Sequence, residues 1–499
     1  MKNEEKNAES RIKTKKTKTK EEKVNKSLKY SVLDGSFFSV MTGFGENYIS
    51  PFAIKVLNAT NAQIGLLSSL PRLISSIFQL ATIKVTNKVG SRKKVIVASA
   101  LMQALMWLPI IIIPFFVKDF SIYYFILFVT LYFFFGSFGS PAWSSMMGDL
   151  VPENERGKYF GMRNRITGLV AFISVFGGGF LLSRISRVDI FLAFTILFLI
   201  ACIARLVSVY FLNRMHEPKY EAKEEESYFS VWDFIKGMRT RNFSKFVLWR
   251  CLMAFAVSIS GPFFAVYMLR DLKLDFMTYT LIISASSIAS FFAMAYWGKY
   301  IDRYGNKKIF TIAGFLIPII PLFWLVSRDI YFLVFVEFFS GFVWAALDLS
   351  TSNFTLDAVT PQKRTRVVSY FNLMMGISIF SGALLGALLA TKITTSWIFY
   401  SNLQILFLIS AILRLLISLA LLPNIKEVRP VQSIGQRTLF VRLVGIEPLK
   451  GVVTETVSGV KKGIKHINYG KRFLIEEIEE FRRKNKKWKL KMKKGLTKK

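Results

Sequence analysis

Histidine and cysteine are almost missing from this chain: 499 residues contain two of each. Cys202 and Cys251 fall near or within apolar runs, so neither a disulfide framework nor a zinc site is expected. His216 and His466 lie outside those runs with no ligand cluster beside them, and no metal centre is expected. No GxxxxGK[ST] loop occurs, so the chain itself is not expected to hydrolyse ATP, and no cofactor is called for. The first 29 residues lack any apolar stretch, which argues against a cleaved signal peptide. Short alternating segments of the β-barrel kind are missing too. Acid is also scarce, with 32 Asp and Glu against 67 Lys and Arg, a formal charge of +35.

What the chain does hold is apolar length. Hydrophobic residues make up 52%, gathered into runs of about 18–24, enough to cross roughly 30 Å of hydrocarbon. Twelve runs lie near 31–52, 62–81, 95–117, 120–147, 161–183, 189–212, 246–268, 277–297, 309–327, 330–349, 368–391 and 397–422. An all-α polytopic membrane protein is predicted. Residues 1–29 hold 11 basic residues against 5 Glu, and residues 425–499 hold 21 against 7. Such tails fit the cytoplasmic side and anionic lipid better than nucleic acid. The loops agree: Lys84, Lys88, Arg92, Lys93 and Lys94 share one, and Lys299, Arg303, Lys307 and Lys308 another, whereas opposite loops carry one or two each, such as Lys118 or Arg184 with Arg187. Both termini are therefore expected in the cytoplasm of a cell-membrane protein.

The chain is written twice. At an offset of 208 Asp149 meets Asp357, Arg156 meets Arg364, Asn164 meets Asn372, Gly168 meets Gly376 and Gly178 meets Gly386. At 209, "LFLIACIARL" (197–206) meets "LFLISAILRL" (406–415), pairing Arg205 with Arg414, and Pro51 answers Pro262. Greasy helices all look alike, but Asp, Arg and Asn are costly inside membrane segments, so their repetition is informative. The expected organisation is a basic tail (1–29), a six-helix half (30–212), a linker (213–245) with a short amphipathic helix around Phe229, Trp232, Phe234 and Ile235, a second half (246–423) and a second basic tail (424–499). In that tail Leu474, Ile478 and Phe481 share one face of a surface helix.

Gly298-x-x-x-Asp302-Arg303-x-Gly305-Asn306-Lys307-Lys308 resembles the signature loop between helices 2 and 3, repeated between 8 and 9, of the major facilitator superfamily. The first copy is degenerate: Ile83 and Asn87 replace glycine and aspartate, while Lys88, Gly90, Arg92 and Lys93 remain. The segment from Asp149 to Arg156-Gly157 resembles that family's link from helix 4 to helix 5. The resemblance spans about residues 30–423. It implies twelve transmembrane helices in two pseudo-symmetric halves, alternating access, and an acidic turn that latches the cytoplasmic side. From the residues themselves, Gly298 is expected to admit a neighbouring helix, Gly305 to take positive φ, and Asp302 to hold the gate shut. Asn87 is expected to latch less strongly than an acid. Two trios, Asp149/Arg156/Arg205 and Asp357/Arg364/Arg414, are expected to brace that gate as one network per half, the other reading being independent edge charges.

Charges deep in a membrane are functional candidates by default. Glu46 in the first run and Arg72 in the second stand at matching depth. They form either a static ion pair or an anion-binding Arg beside a protonatable Glu. Glu337 has no evident acidic or basic neighbour within its own run and reads as protonatable, and Asp34 as structural. Asp34 and Glu46, twelve residues apart, are about 120° and 18 Å apart on a regular helix and are not expected to share a site. Gly177, Gly178 and Gly179 resemble the family's helix-5 antiporter motif without its proline. The expected function is secondary transport of a small organic solute, a sugar or drug-like compound, with efflux favoured, by a monomer that uses protons as the coupling ion. The alternatives are a solute sensor on the same fold and a membrane-embedded lipid-modifying enzyme, the latter disfavoured because no His/Asp/Glu or Cys cluster sits at a membrane face.

Overall fold

The structure is a computed structural model that describes residues 2–116, 121–152, 155–218, 242–359, 361–393 and 399–428. These lie in one compact unit, Met1–Gln432. The linker helix expected around Phe229–Ile235, the surface helix at Leu474–Phe481, His466 and the side chain of Arg364 fall outside the described residues.

Among the described residues twelve helical stretches follow one another, pieces that continue each other being counted together. The first, α1, runs Lys2–Met41, through a π-turn at Thr42–Glu46, into Asn47–Lys55. Then come α2 (Asn61–Gln79 and Thr82–Val89), α3 (Arg92–Leu105 and Trp107–Phe116), α4 (Ser121–Phe138 and Ser140–Leu150), α5 (Arg156–Ile185) and α6 (Ile190–Arg214). The second half holds α7 (Asn242–Ser260, Phe263–Val266 and a π-turn at Tyr267–Asp271), α8 (Phe276–Tyr304), α9 (Asn306–Leu316 and Ile319–Val326), α10 (Ile330–Asp357), α11 (Pro361–Lys392) and α12 (Leu403–Leu421). Among the described residues, ten helices, α3 to α12, are long and apolar enough to cross a membrane, and α2 makes eleven when its pieces, bent by 48°, count as one span. The twelfth expected run, 31–52, is helical as well and lies in α1.

Local chemistry sets the ends. Thr60 and Gln63 form a reciprocal capping box on α2. Asp189, Asp275 and Asp329 accept first-turn amides of α6, α8 and α10. Gly90 (φ 69°) and Gly305 (φ 90°) turn the chain sharply between α2 and α3 and between α8 and α9.

Packing repeats as the sequence does. In the first half α1 meets α5 and α6, α2 meets α4, and α3 meets α4 and α6; in the second, α7 meets α11 and α12, α8 meets α10, and α9 meets α10 and α12. Between halves α2 packs on α11 and α5 on α8. Helix two of one half thus pairs with helix five of the other in both places, as a pseudo-two-fold axis requires.

Small residues make these approaches possible, since helices in lipid associate through close packing. A Cβ at Gly341 would overlap the Ser286 carbonyl between α10 and α8, and at Gly382 or Gly386 those of Phe255 or Ile259 between α11 and α7. Gly298 does not fit this pattern: an added Cβ meets only Leu349, at 3.9 Å. Its expected role of admitting a neighbour is thus corrected.

Gly341→Val is expected to destabilise the detergent-solubilised protein by about 1–3 kcal/mol, read as a lower unfolding temperature. Gly148→Ala, where an added Cβ meets nothing within 4 Å, is expected to leave it unchanged or slightly raised.

Candidate functional site

The π-turn in α1 decides where Glu46 points. A π-turn takes up one extra residue, so it removes about 100° from the 120° expected between Asp34 and Glu46. Both carboxyls then lie on nearly one face, about 17 Å apart along the axis. Gly43 and Gly45 stand within the turn, where a Cβ would overlap Ser174 or the Trp107 ring. The TGFG stretch therefore lets α1 widen while it stays packed on α5 and α3.

A buried polar chain occupies that face. Asp34, 4% exposed, accepts from the Ser208 hydroxyl at 2.7 Å, and Ser208 accepts from Arg205 Nη1 at 2.8 Å. Arg163 Nη2 stands 3.9 Å from the Asp34 carboxylate and donates through Nε to the Ser31 carbonyl at 3.2 Å. Further up, Tyr132 of α4 donates to Glu46 Oε1 at 2.7 Å, its ring 4.8 Å from that of Trp107. Arg205 is within electrostatic reach of Asp34, Glu46 and Tyr132. One guanidinium on α6 is thus within electrostatic reach of both acids, and the π-turn corrects the expected angle between them but not their separation along the axis. Tyr132, Ser208 and Arg163 were not expected; nothing in the α1 sequence announces partners on α4, α5 and α6.

Arg72 lies within electrostatic reach of Glu46, but no ion pair within 4 Å joins them. Its side chain is exposed, at mid-span of α2. Glu337 meets the Ser286 hydroxyl of α8 and lies near Tyr279, both of them uncharged neighbours from another helix. The second half also holds an unexpected pair: Arg250 Nη2 of α7 and Asp348 Oδ1 of α10 stand 3.6 Å apart, with the Asp348 side chain 58% accessible. Both residues fall inside apolar runs, which was the available signal.

At the basic-loop end the two halves use one device twice. The Glu217 carboxylate, just past α6, accepts from Ser91 Oγ (2.6 Å) and from the Arg92 and Lys93 amides (2.6 and 3.2 Å) at the start of α3. Glu427, just past α12, accepts from the Lys307 amide (2.7 Å) at the start of α9. Carboxylates suit helix N-termini because unpaired amides converge there. The buried Arg92 guanidinium reaches Asp149 at 2.5 Å, and Asn306 Nδ2 reaches Asp357 Oδ2 at 2.7 Å. Asp302 is exposed and makes no hydrogen bond or ion pair among the described residues, so it holds nothing shut in this state. Arg303 stacks over Tyr304 at 5.3 Å, and Lys307 and Lys308 are half-buried.

At the opposite end the halves are joined. Arg270 Nη1 donates to Asn61 Oδ1 at 2.9 Å and Nη2 to the Ala59 carbonyl, and Asn61 Nδ2 donates to Ala390 O at 3.4 Å. Tyr48 donates to Val175 O at 2.6 Å, and its hydroxyl stands 3.2 Å from Thr280 Oγ1. Gly178 and Gly179 permit this junction, since side chains there would overlap Tyr48 and Thr280.

The structure separates Arg205 from Asp149 and Arg414 from Asp357, and the side chain of Arg364 lies outside the described residues. Asp149 belongs with Arg92 at the loop, while Arg205 lies in the buried chain with Asp34. Arg156 ties α5 to the end of α4 through Gly148 O (2.7 Å) and Val151 O (3.4 Å). Arg414, 2% exposed, donates to Ser260 Oγ (2.8 Å) and to the carbonyls of Ile317 (3.3 Å) and Val257 (3.4 Å), and to no carboxylate among the described residues. In a double-mutant cycle on unfolding, Asp149→Asn and Arg92→Gln are expected to couple by about 0.5–1 kcal/mol, small because Asp149 is half-exposed. Asp149→Asn with Arg205→Gln is expected to show no coupling.

Comparison with known proteins completes the assignment. The sequence profile of the Major Facilitator Superfamily matches residues 35–258 and again 246–485. The chain is 26% identical over 385 residues to Multidrug resistance protein MdtG of Proteus mirabilis (strain HI4320), covering 75% of this chain and 90% of that protein. It is 24% identical over 165 residues to Multidrug resistance protein 3 of Bacillus subtilis (strain 168), a match that spans about a third of either protein (32% of each). Among solved structures, the nucleoside transporter NupG superposes with a TM-score of 0.61 at 15% identity over 81% of this chain and 99% of that one, and the D-xylose-proton symporter with 0.62 at 12% over 82% and 99%. The chain belongs to the Major Facilitator Superfamily and is a multi-pass membrane transporter of small solutes.

Proposed function

We propose that the protein expels drug-like organic solutes from the cell by alternating access, driven by protons taken up at Glu46. The observation that carries this reading is Glu46 itself: a carboxyl placed by a π-turn deep in the first half, hydrogen-bonded to Tyr132 and within reach of Arg205 and Arg72. A carboxylate there costs several kcal/mol unless compensated. Protonation removes that charge and releases Arg205 and Arg72 to other partners, so the proton and the arrangement of the site are linked. The two multidrug resistance relatives support drug-like solutes and efflux over sugar uptake.

The junction of Arg270 with Asn61 and of Tyr48 with Thr280 closes one end of the bundle. With both termini and the basic loops in the cytoplasm, that end is the outer one, and the state is inward-facing. Asp302 without a partner agrees with a latch that forms only when the cytoplasmic side closes. The working unit is a monomer in the cell membrane, with its basic ends against anionic lipid.

In proteoliposomes, Glu46→Gln is expected to lower solute accumulation driven by a pH gradient by at least about ten-fold and to preserve solute counterflow. Tyr132→Phe is expected to keep gradient-driven transport and to alter its pH profile. Full gradient-driven accumulation by Glu46→Gln would exclude this carboxyl as the coupling group.

A further inference from the structure

Beyond the buried chain of the first half, Arg72, Arg250 and Asp348 are charged side chains that make no hydrogen bond among the described residues. Arg72 is exposed, and its guanidinium makes no hydrogen bond or ion pair among the described residues. Asp348 is 58% accessible and accepts no hydrogen bond there; its one close charge is Arg250, at 3.6 Å. That is ion-pair distance without hydrogen-bond geometry, so the acceptor sites of the carboxylate stay open.

These charges are far from the helix ends. Arg72 stands eleven residues into Asn61–Gln79, and Asp348 nine residues before the end of Ile330–Asp357, about 16 and 13 Å along their axes. An accessible charge at such depth facing lipid is strongly disfavoured. The surface both reach is therefore water inside the protein.

Their relative height follows from the glycine contacts. On α11, Gly376 lies against Ser76 and Ala387 against Gly65, so α2 runs antiparallel to it and Arg72 stands near the level of residue 380. Gly382 lies against Phe255 and Gly386 against Ile259, so α7 runs parallel and Arg250 stands near the level of residue 377. The contact of Cys251 with Ser378 agrees. Arg72 and the Arg250–Asp348 pair thus lie within about one helical turn, roughly 5 Å, of the same depth.

We propose that Arg72 on one half and Asp348 on the other form a bipolar binding site for zwitterionic organic solutes, which place an anionic group on Arg72 and a cationic group on Asp348. Arg250 is a positioning residue: it holds the Asp348 carboxylate toward the cavity and yields it when the solute's cation arrives. A solute that bridges the halves contributes to alternating access directly, because its two ends report on their separation. The site rests on the transport reading above and deepens it by naming the charge class of the solute.

The test uses the full-length protein in detergent and four probes with one apolar body: 2-naphthylalanine (zwitterion), its methyl ester (cation), its N-acetyl derivative (anion) and its N-acetyl methyl ester (neutral), with affinity read from thermal stabilisation at pH 7. The zwitterion is expected to bind tightest. Asp348→Asn is expected to weaken the zwitterion and cation by about ten-fold and spare the anion; Arg72→Gln is expected to weaken the zwitterion and anion likewise and spare the cation. Asp348→Glu is expected to restore cation binding, which separates recognition from mere folding. Equal binding of all four forms, no binding of any, or uniform weakening by both substitutions would overturn the site. Counterflow of a neutral drug-like solute, measured in parallel, tells that failure from a failure of the transport reading: flow without charge preference sinks only the bipolar site.

Discussion

A guanidinium sealed from water inside a membrane bundle must find acceptors within the protein, because lipid supplies none. The two halves meet this demand at equivalent places, Arg205 of α6 and Arg414 of α12, in different ways. In the second half the acceptors are backbone. Pro321 brings no amide to the Ile317 carbonyl four residues earlier, and Pro318 none to that of Gly314. Arg414 donates to the first and Ser418, one turn on, to the second. The Arg is thus the complement of two helix breaks. In the first half the acceptors are side chains, and Arg205 joins Asp34 through Ser208 with Glu46 and Tyr132 in reach. At these two arginines, then, the second half uses acceptors that do not titrate, and the first a chain that ends on a carboxyl.

That difference depends on a single residue of helical register. Without the π-turn at Thr42–Glu46, Glu46 would stand about 120° away from Asp34, and Arg205 could not serve both. The turn in turn depends on Gly43 and Gly45, because a widened helix needs room against Ser174 and Trp107. Small side chains, local backbone and buried charge form one chain of causes. It explains why a helix otherwise suited to cross a membrane gives up regular hydrogen bonding at that level.

Much of the architecture could be read from the sequence, because apolar runs and repeated Asp, Arg and Asn each carry a direct physical cost in lipid. Gly305 was readable for the same reason: positive φ favours glycine. The site was readable in its members and not in its pairings. Glu46, Arg72, Asp34 and Arg205 announce themselves as misplaced charges, but which of them meet depends on register and on side chains of other helices, such as Tyr132. Regular-helix geometry misled for Asp34 and Glu46, since a π-turn has no strong sequence signal beyond its glycines. Asp302 drew attention as the acid of a signature loop, whereas Glu217 and Glu427, which hold the loops, lie past the last helix of each half. Their matching positions at nearly the repeat offset were the signal that could have found them.

The unequal bracing also bears on how the halves divide their work. A transporter that couples ion to solute needs one element whose stability changes on protonation and another that stays rigid as it moves. The Arg414 brace, made to carbonyl and hydroxyl oxygens, holds α12 to α7 and α9 without a titrating acceptor. A bundle whose helices α1, α4 and α6 share carboxyls loses or gains internal attraction with each proton, which suits a responsive partner. The boundary where they meet, α2 on α11 and α5 on α8, has its close approaches at Gly65, Gly376 and Gly179, against Ala387, Ser76 and Thr280. Pseudo-symmetry in this fold is thus broken at two arginines, Arg205 joined to a carboxyl through Ser208 and Arg414 to carbonyl oxygens.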